Sequence, residues 1–269
     1  MLKHYPKIAV LAVALASSDS TTAMAAGEWH YGIGTGLSSF GLDGELGFDT
    51  PVGGRIENID LDNSETSDML DSALGVNAFA ADGEWQVLLP YNTVTLEDND
   101  SDVRAKWERT NAELAAVYNF AKSGSSTWGV LAGLRYTDHE WDISSRNGSF
   151  ADVKPGDDWT DFIVGFTHAL AISNSWSWRN RIDGGFGDTE EAWFASTALF
   201  WQPLDNWMFN TSIRYLKTKF GDDGDINDPD FYLYNVDETA LGARRKLHLV
   251  KSGSTAVTCA PAAFFLCHS

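Results

Sequence analysis

The residues whose types and spacing come closest to those of a hydrolase are Asp138, His139 and Glu140. A histidine can act as a general base when a carboxylate orients its ring within hydrogen-bonding reach. Adjacent residues of a strand point to opposite faces, so either His139 or the two acids can enter a given site, but not all three. The sequence also lacks a Gly-x-Ser-x-Gly elbow and a His-x-x-x-His spacing. We therefore expect a protein that is not an enzyme, and a hydrolase with its site at the extracellular rim is the alternative.

Acidic residues are dense enough in three stretches to suggest a Ca²⁺ or Mg²⁺ site, because these cations prefer oxygen ligands. Asp223-x-Asp225-x-Asn227 imitates the start of a calcium-binding loop. Asp228, however, stands where that loop needs glycine, and Tyr234 stands where it needs a bidentate glutamate. We therefore expect solvated, mutually repelling loops that hold neither a metal ion nor a cofactor. The acids of the three stretches are Asp60, Asp62, Glu65 and Asp68, then Glu97, Asp98, Asp100 and Asp102, then Asp222, Asp223, Asp225, Asp228 and Asp230.

The strongest pattern along the chain has a period of two, which places alternate side chains on opposite faces of a strand. In the segment 128–136 the even-numbered residues are Trp, Val, Ala, Leu and Tyr, whereas the odd-numbered ones are Gly, Leu, Gly and Arg. The segments 29–37 and 207–215 divide in the same way. The glycine-rich and charged face suits the polar lumen of a membrane barrel better than the dry core of a soluble sandwich or barrel, which is the alternative.

The pattern predicts an all-β protein, a transmembrane antiparallel up-and-down β-barrel of about ten strands, with eight as the alternative count. Short connections alternate with mostly longer, polar ones at 43–68, 98–103, 143–158 and 221–230. Short periplasmic turns opposite longer external loops are typical of outer-membrane barrels. The candidate strands are 28–42, 69–81, 84–97, 104–120, 127–142, 159–172, 175–187, 191–202, 206–220 and 231–243.

Aromatic residues stand near both ends of these strands, as two girdles at the membrane interfaces require. The predicted girdle residues are Trp85, Trp128, Trp178 and Trp207 near the short turns, and Tyr136, Phe186, Trp193 and Tyr215 near the longer loops.

Charged residues of several strands share the inward phase with the glycines. A barrel of about ten strands is largely filled by side chains, and buried charges need partners, so we expect salt-bridged rungs in the lumen. A narrow ion- or solute-selective path is the alternative, because the same charges would act as a filter if water entered. The predicted lumen network comprises Arg109, Glu113, Arg135, Asp161, Arg181, Asp183 and Arg214.

The N-terminus predicts export. Lys3 and Lys7 precede a nine-residue apolar run, and Ala23-Met24-Ala25 offers a cleavage site. Residues 1–25 therefore have the organisation of a signal peptide. Without them the chain has 17 basic and 37 acidic residues, a net charge of −20. Such a chain is a poor partner for nucleic acid and for anionic lipid surfaces.

The last 26 residues, 244–269, do not fit the pattern. They contain four basic residues, no acidic ones, and Cys259 and Cys267, the two cysteines of the chain. A disulfide between them would staple only this tail. We expect the last strand to end near Ala243 and hypothesise that the tail comes from a frameshift, which would put closure of the barrel in doubt.

Six short segments along the chain carry a family resemblance: 67–71, 83–85, 133–136, 159–165, 183–187 and 213–215. Together they resemble a widespread group of uncharacterised bacterial outer-membrane β-barrel proteins. The resemblance covers about residues 28–243 and implies a Sec-exported, Gram-negative outer-membrane barrel at 26–243, with no known reaction or ligand. It implies lipid, lipopolysaccharide and the barrel-assembly machinery as partners and leaves the oligomeric state open. This chain has Phe162 where the group has proline, and it lacks the group's terminal aromatic residue.

Overall fold

The computed structural model describes residues 29–49, 53–98, 103–146, 152–204, 207–221, 226 and 231–249. These residues form one antiparallel sheet and one short helix, and no helix among them is long and apolar enough to cross a membrane. The elements are β1 (His30–Phe48), β2 (Arg55–Leu61), α1 (Asn63–Asp68), β3 (Leu70–Ala81), β4 (Trp85–Asp98), β5 (Val103–Ser123), β6 (Ser126–Ser145), β7 (Gly156–Ala171), β8 (Trp176–Gly187), β9 (Glu191–Leu204), β10 (Trp207–Phe220) and β11 (Tyr232–Leu249).

The sheet closes on itself. Each strand from β3 to β11 pairs with the next, β3 pairs with the first part of β1, and β11 pairs with β1 along its length. This circuit contains ten strands, and β2 is an eleventh that pairs only with the second part of β1. The predicted count of ten is therefore corrected to eleven strands, because the segment 43–68, predicted as a loop, contains β2 and α1. The same segment begins with the last six residues of β1, which runs to Phe48 rather than ending at residue 42.

The element α1 is inserted in the wall between β2 and β3. Thr35 of β1 pairs with Val76 of β3, and Leu42 of β1 pairs with Leu61 of β2, so both strands follow the same edge of β1. The helix fills the gap between them, where the Thr66 hydroxyl donates to the carbonyl oxygen of Phe40.

A capping box starts this helix. The Asp62 carboxylate accepts hydrogen bonds from the backbone N–H groups of Ser64 and Glu65, and the Glu65 carboxylate accepts from the Asp62 N–H. The hydroxyl of Ser64, followed by the two N–H groups, lowers the pKa of Asp62 below its usual value of 3.8.

The final strand is longer than predicted. β11 runs to Leu249 rather than stopping near Ala243, and its register with β1 extends from Phe48–Tyr232 to Tyr31–Leu249. The side-chain pattern did not indicate a strand beyond Ala243. The backbone nevertheless continues as one, because its N–H and C=O groups find partners in both β1 and β10. The predicted signal peptide and residues 250–269, with Cys259 and Cys267, lie outside the described residues.

The connections differ between the two ends of the barrel. β3 and β4 are joined at one end by Asp82–Glu84, whose Asp82 carboxylate accepts from the N–H groups of Glu84 and Trp85. β5 and β6 are joined at the same end by a turn in which Gly124 has φ of 58°. We call this the short-turn end and the opposite one the loop end.

The interior is layered. An apolar cluster that includes Phe40, Trp107, Trp159 and Tyr234 lies towards the loop end. Smaller apolar clusters, one built around Leu88, lie towards the short-turn end. The charged residues lie between these layers.

Candidate functional site

Four charged side chains from three strands form a closed ring of ion pairs inside the barrel, which we call the ion-pair ring. Arg181 of β8 donates to Glu113 of β5 at 2.8 and 3.0 Å and to Asp183 at 2.6 Å. Arg135 of β6 donates to the same two carboxylates at 3.2 and 2.8 Å. All four residues are at most 7% exposed, and their charges balance. The ring of Phe194 lies 5.3 Å from the Cζ of Arg135 and 4.9 Å from that of Arg181.

Glycines on β6 and β7 give this ring its space. A Cβ atom at Gly165 of β7 would lie 2.5 Å from the Cβ of Asp183. A Cβ atom at Gly133 of β6 would lie 2.6 Å from the Cα of Ala115. Both distances are shorter than real Cβ contacts, so the strands can approach this closely only because these positions are glycine.

A second charged group lies nearer the loop end. Arg109 of β5 reaches across the interior and pairs with Glu238 of β11, and both are buried. The Cζ of Arg109 also lies 5.4 Å from the ring of Phe40. Arg214 of β10 donates to the Ser38 hydroxyl at 3.1 Å.

The carboxylate of Asp161 in β7 is bound by a residue of a loop and not by an arginine. It accepts from the N–H of Thr189 at 3.1 Å and from the hydroxyl of Thr189 at 2.8 Å. The carboxylate therefore fixes the short connection between β8 and β9 to the inner wall.

The structure places all seven residues of the predicted lumen network on the inward face, and all are buried. It brings four of them together in the ion-pair ring and leaves Arg109, Asp161 and Arg214 with other partners. Sequence reasoning missed Glu238 and Arg179, which are also buried on this face. Their phase could have revealed them, since Glu238 alternates with Val236 in β11 and Arg179 lies two residues before Arg181.

His139 lies in an aromatic cage at the loop end. It is 1% exposed, and its Nδ1 lies 3.1 Å from the hydroxyl oxygen of Tyr232. The centroid of its ring lies 5.3 Å from that of Trp107, 4.7 Å from Trp159 and 4.4 Å from Tyr234. The cage fills the interior at this level with aromatic rings.

Asp138 and Glu140 lie on the opposite face from His139. They line an open groove on the outer surface of β5, β6 and β7, together with Glu108 and Asp158. Within the described residues no carboxylate forms an ion pair with His139, and no group of histidines, cysteines and acids could hold a metal ion. The predicted calcium-like stretch at 223–227 lies almost entirely outside those residues.

The outer wall carries large apolar side chains. Of the predicted girdle residues, seven are at least 36% exposed, and Trp207 is half-buried beneath the guanidinium of Arg245, whose Cζ is 3.7 Å from the ring. Trp176 and Trp201 are also exposed and stack at 5.9 Å. The seven are Trp85, Trp128, Tyr136, Trp178, Phe186, Trp193 and Tyr215.

No protein-family model and no curated protein matches this chain by sequence. Solved structures that match include the outer membrane protease OmpT from Escherichia coli, at 7% identity and a TM-score of 0.44, covering 85% of this chain and 98% of that chain. Neisserial surface protein A matches at 10% identity and a TM-score of 0.34, covering 81% and 96%. Ail, the attachment invasion locus protein of Yersinia pestis, matches at 10% and 0.32, covering 82% and 99%. All three TM-scores are below 0.5, so the activity of none of these proteins is transferred to this chain.

Proposed function

We propose that this chain is a closed, non-conducting barrel of the bacterial outer membrane that has a structural role and no enzymatic activity. The observation that carries the proposal is a reversal of polarity along the strands, which occurs on both faces at the same level.

The outward face of β6 supports a membrane environment. Its outward residues from Trp128 to Tyr136 are apolar and exposed, whereas the next ones are Asp138, Glu140 and Asp142. Nine residues at about 3.3 Å each and a tilt of about 40° give a band of roughly 20 Å, comparable with the apolar band of about 25 Å on outer-membrane barrels. An apolar belt of this height would be costly in water and is favourable in lipid.

The polarity of the inward face of β6 changes in the opposite sense, from polar to aromatic. Arg135 lies at the level of the belt and Thr137 at its edge, and His139 and Trp141 follow towards the loop end. Beyond the belt the strands thus have the arrangement of a water-soluble barrel, with aromatic residues inside and carboxylates outside. Within the belt they have that of a membrane barrel.

Two layers support a lumen that does not conduct. The ion-pair ring uses its carboxylates to hold guanidinium groups instead of leaving them available to passing ions. The aromatic cage of His139 and the cluster around it fill the loop end. A narrow path would need water at both levels, because ion selectivity requires solvated or exchangeable ligands.

Single-channel recording of the refolded chain in planar bilayers tests the closed state. We expect no ohmic steps, and regular steps in the picosiemens range or above would contradict the proposal. Heat-modifiable migration on a gel and protection of the barrel from protease in vesicles serve as the controls for insertion. Fractionation of expressing cells tests the location, and recovery of a soluble, non-modifiable protein would overturn the membrane assignment itself.

The position of His139 supports the absence of hydrolase activity at the rim. A general base must reach the proton that it removes, either directly or through one water. His139 instead faces inward against Tyr232, and the two acids beside it face outward. If peptidase or esterase activity were detected, its loss in His139→Ala with retention in Glu140→Gln would revive the hydrolase alternative.

A further inference from the structure

Arg214 is a buried cation with no ion-pair partner among the described residues. It is 3% exposed, and within the described residues its side chain makes one hydrogen bond, from Nη2 to the Ser38 hydroxyl. Its Nε and Nη1 atoms are buried and make no hydrogen bond within the described part of the chain. A guanidinium carries five N–H donors, and burying it without a counter-charge is costly.

The nearest carboxylate along the strands is already used. Glu238 lies opposite Leu216, one inward position from Arg214, but it pairs with Arg109. The Nε and Nη2 atoms of Arg109 also lack hydrogen-bond partners in the described residues. This level thus has two guanidinium groups and one carboxylate, which Arg109 occupies, whereas the charges of the ion-pair ring balance.

The buried charges that face one another at this level are two arginines, Arg109 and Arg214, and one carboxylate, Glu238. This surplus of positive charge lies inside a protein whose net charge is −19, so the acidic surface does not explain it.

The surroundings of Arg214 supply further unused polar groups and small side chains. Asn210 and Ser212 lie on the same inward face of β10, and the Asn210 amide and the Ser212 hydroxyl make no hydrogen bond in the described residues. Across β11 and β1, Ser212 aligns with Gly242 and then with Ser38. The wall beside these groups is therefore built from small side chains.

We propose that this side of the interior binds one small monovalent anion, a halide or a carboxylate of similar size, at Arg214 and Ser212. The anion accepts hydrogen bonds from the free N–H groups of Arg214 and from the Ser212 hydroxyl, and Arg109 adds a second positive charge. A buried water would satisfy some of these donors, but it would leave the surplus charge uncompensated. The site is internal and requires no conduction through the barrel.

Bromide is the probe for a direct test. Anomalous diffraction from crystals of the full chain in sodium bromide should show one peak within hydrogen-bonding distance of the Arg214 guanidinium. A well-resolved interior with only water at this position would overturn the proposal.

The second test measures stability in solution. A ligand that binds only the folded state raises the folded-to-unfolded ratio by about 100-fold at a concentration of 100 times its Kd. We expect the temperature of the heat-modifiable gel transition to rise with sodium chloride but not with sodium gluconate at equal ionic strength, because gluconate is too large to enter.

Arg214→Met keeps much of the side-chain volume and removes the charge, so it should abolish the chloride-dependent rise. Arg104→Gln is the matched control, because Arg104 is exposed and pairs with Glu97 at 2.9 Å, and it should keep the full effect. If Arg214→Met does not fold, the wild-type barrel alone is tested. It should broaden the ³⁵Cl resonance, and the absence of broadening would contradict the proposal. Equal transitions in the two salts, or a chloride effect that survives in Arg214→Met, would contradict the site.

Discussion

The ion-pair ring provides the sharpest test of a dry interior. Glu113→Gln keeps the shape of the side chain and removes one negative charge, after which Arg135 and Arg181 share Asp183 alone. Breaking a buried ion pair on one side costs about 3–5 kcal/mol, because it leaves an uncompensated buried charge. We expect the free energy of unfolding to fall by about that amount, since Glu113 accepts hydrogen bonds from both arginines.

Urea titration of the barrel in lipid vesicles, with linear extrapolation to zero denaturant, measures this change. Glu108→Gln is the matched control on the same strand. Glu108 faces outward, its side chain is 41% exposed, and it pairs with Lys106. Exposed ion pairs contribute about 0–1 kcal/mol, so the control should lose little stability.

A second variant separates charge from hydrogen bonding. Arg181→Gln combined with Glu113→Gln restores the balance of charge in the ring, so the double variant should cost less than the sum of the two single variants, by about 0.5–3 kcal/mol. Equal losses in Glu113→Gln and Glu108→Gln would refute the reasoning, because they would mean that water screens the ring. The interior would then be a hydrated path, and the closed state would be wrong as well.

Three further predictions concern other parts of the barrel. Gly165→Ala should cost about 1–3 kcal/mol because its new Cβ overlaps the neighbouring strand, whereas Gly184→Ala, where the nearest atoms are 3.4 Å away, should change the same urea midpoint by less than the equivalent of about 0.5 kcal/mol. Asp62→Ala should speed hydrogen exchange in α1. The difference from wild type should be largest above pH 3.8 and should vanish as the pH falls through the lower pKa of the folded state, because the cap requires the carboxylate. Brominated acyl chains should quench the fluorescence of Trp193→Phe less than that of the wild type, whereas Trp107→Phe should leave the quenched component unchanged, because Trp193 is exposed on the outer wall and Trp107 is buried in the interior.

The course of the chain around the barrel was predictable because one face of each main strand meets a different solvent from the other. That difference imposes the period of two, and it identified ten of the eleven strands. Eight of them agree with the structure to within three residues at each end, whereas β1 and β11 each run six residues further than predicted. β2 escaped because four of its first five residues, from Arg55 to Ile59, are exposed, so that no apolar face alternates with a polar one. α1 is six residues long, too short to display a helical period, although Asp62 and Glu65 have the spacing of its capping box.

The end of β11 was predicted wrongly for a related reason. Arg244-Arg245-Lys246 shows no alternation between polar and apolar residues, so the side chains did not indicate a strand there. The backbone pairs with β1 on one side and β10 on the other as far as Leu247, and these hydrogen bonds do not depend on side-chain type.

The sequence could place charges on the inward face but could not pair them. Arg109 and Glu238 are 129 positions apart and come from strands on opposite sides of the barrel, so their contact depends on the stagger between strands and on the size of every side chain between them. The same holds for the imbalance at Arg214, since a count of inward charges along the chain does not reveal which carboxylates are already used. A lumen lined with charge is therefore compatible from sequence with a pore or with a plug. What distinguishes them is the number of partners that each charge finds, and in the ion-pair ring every carboxylate has two.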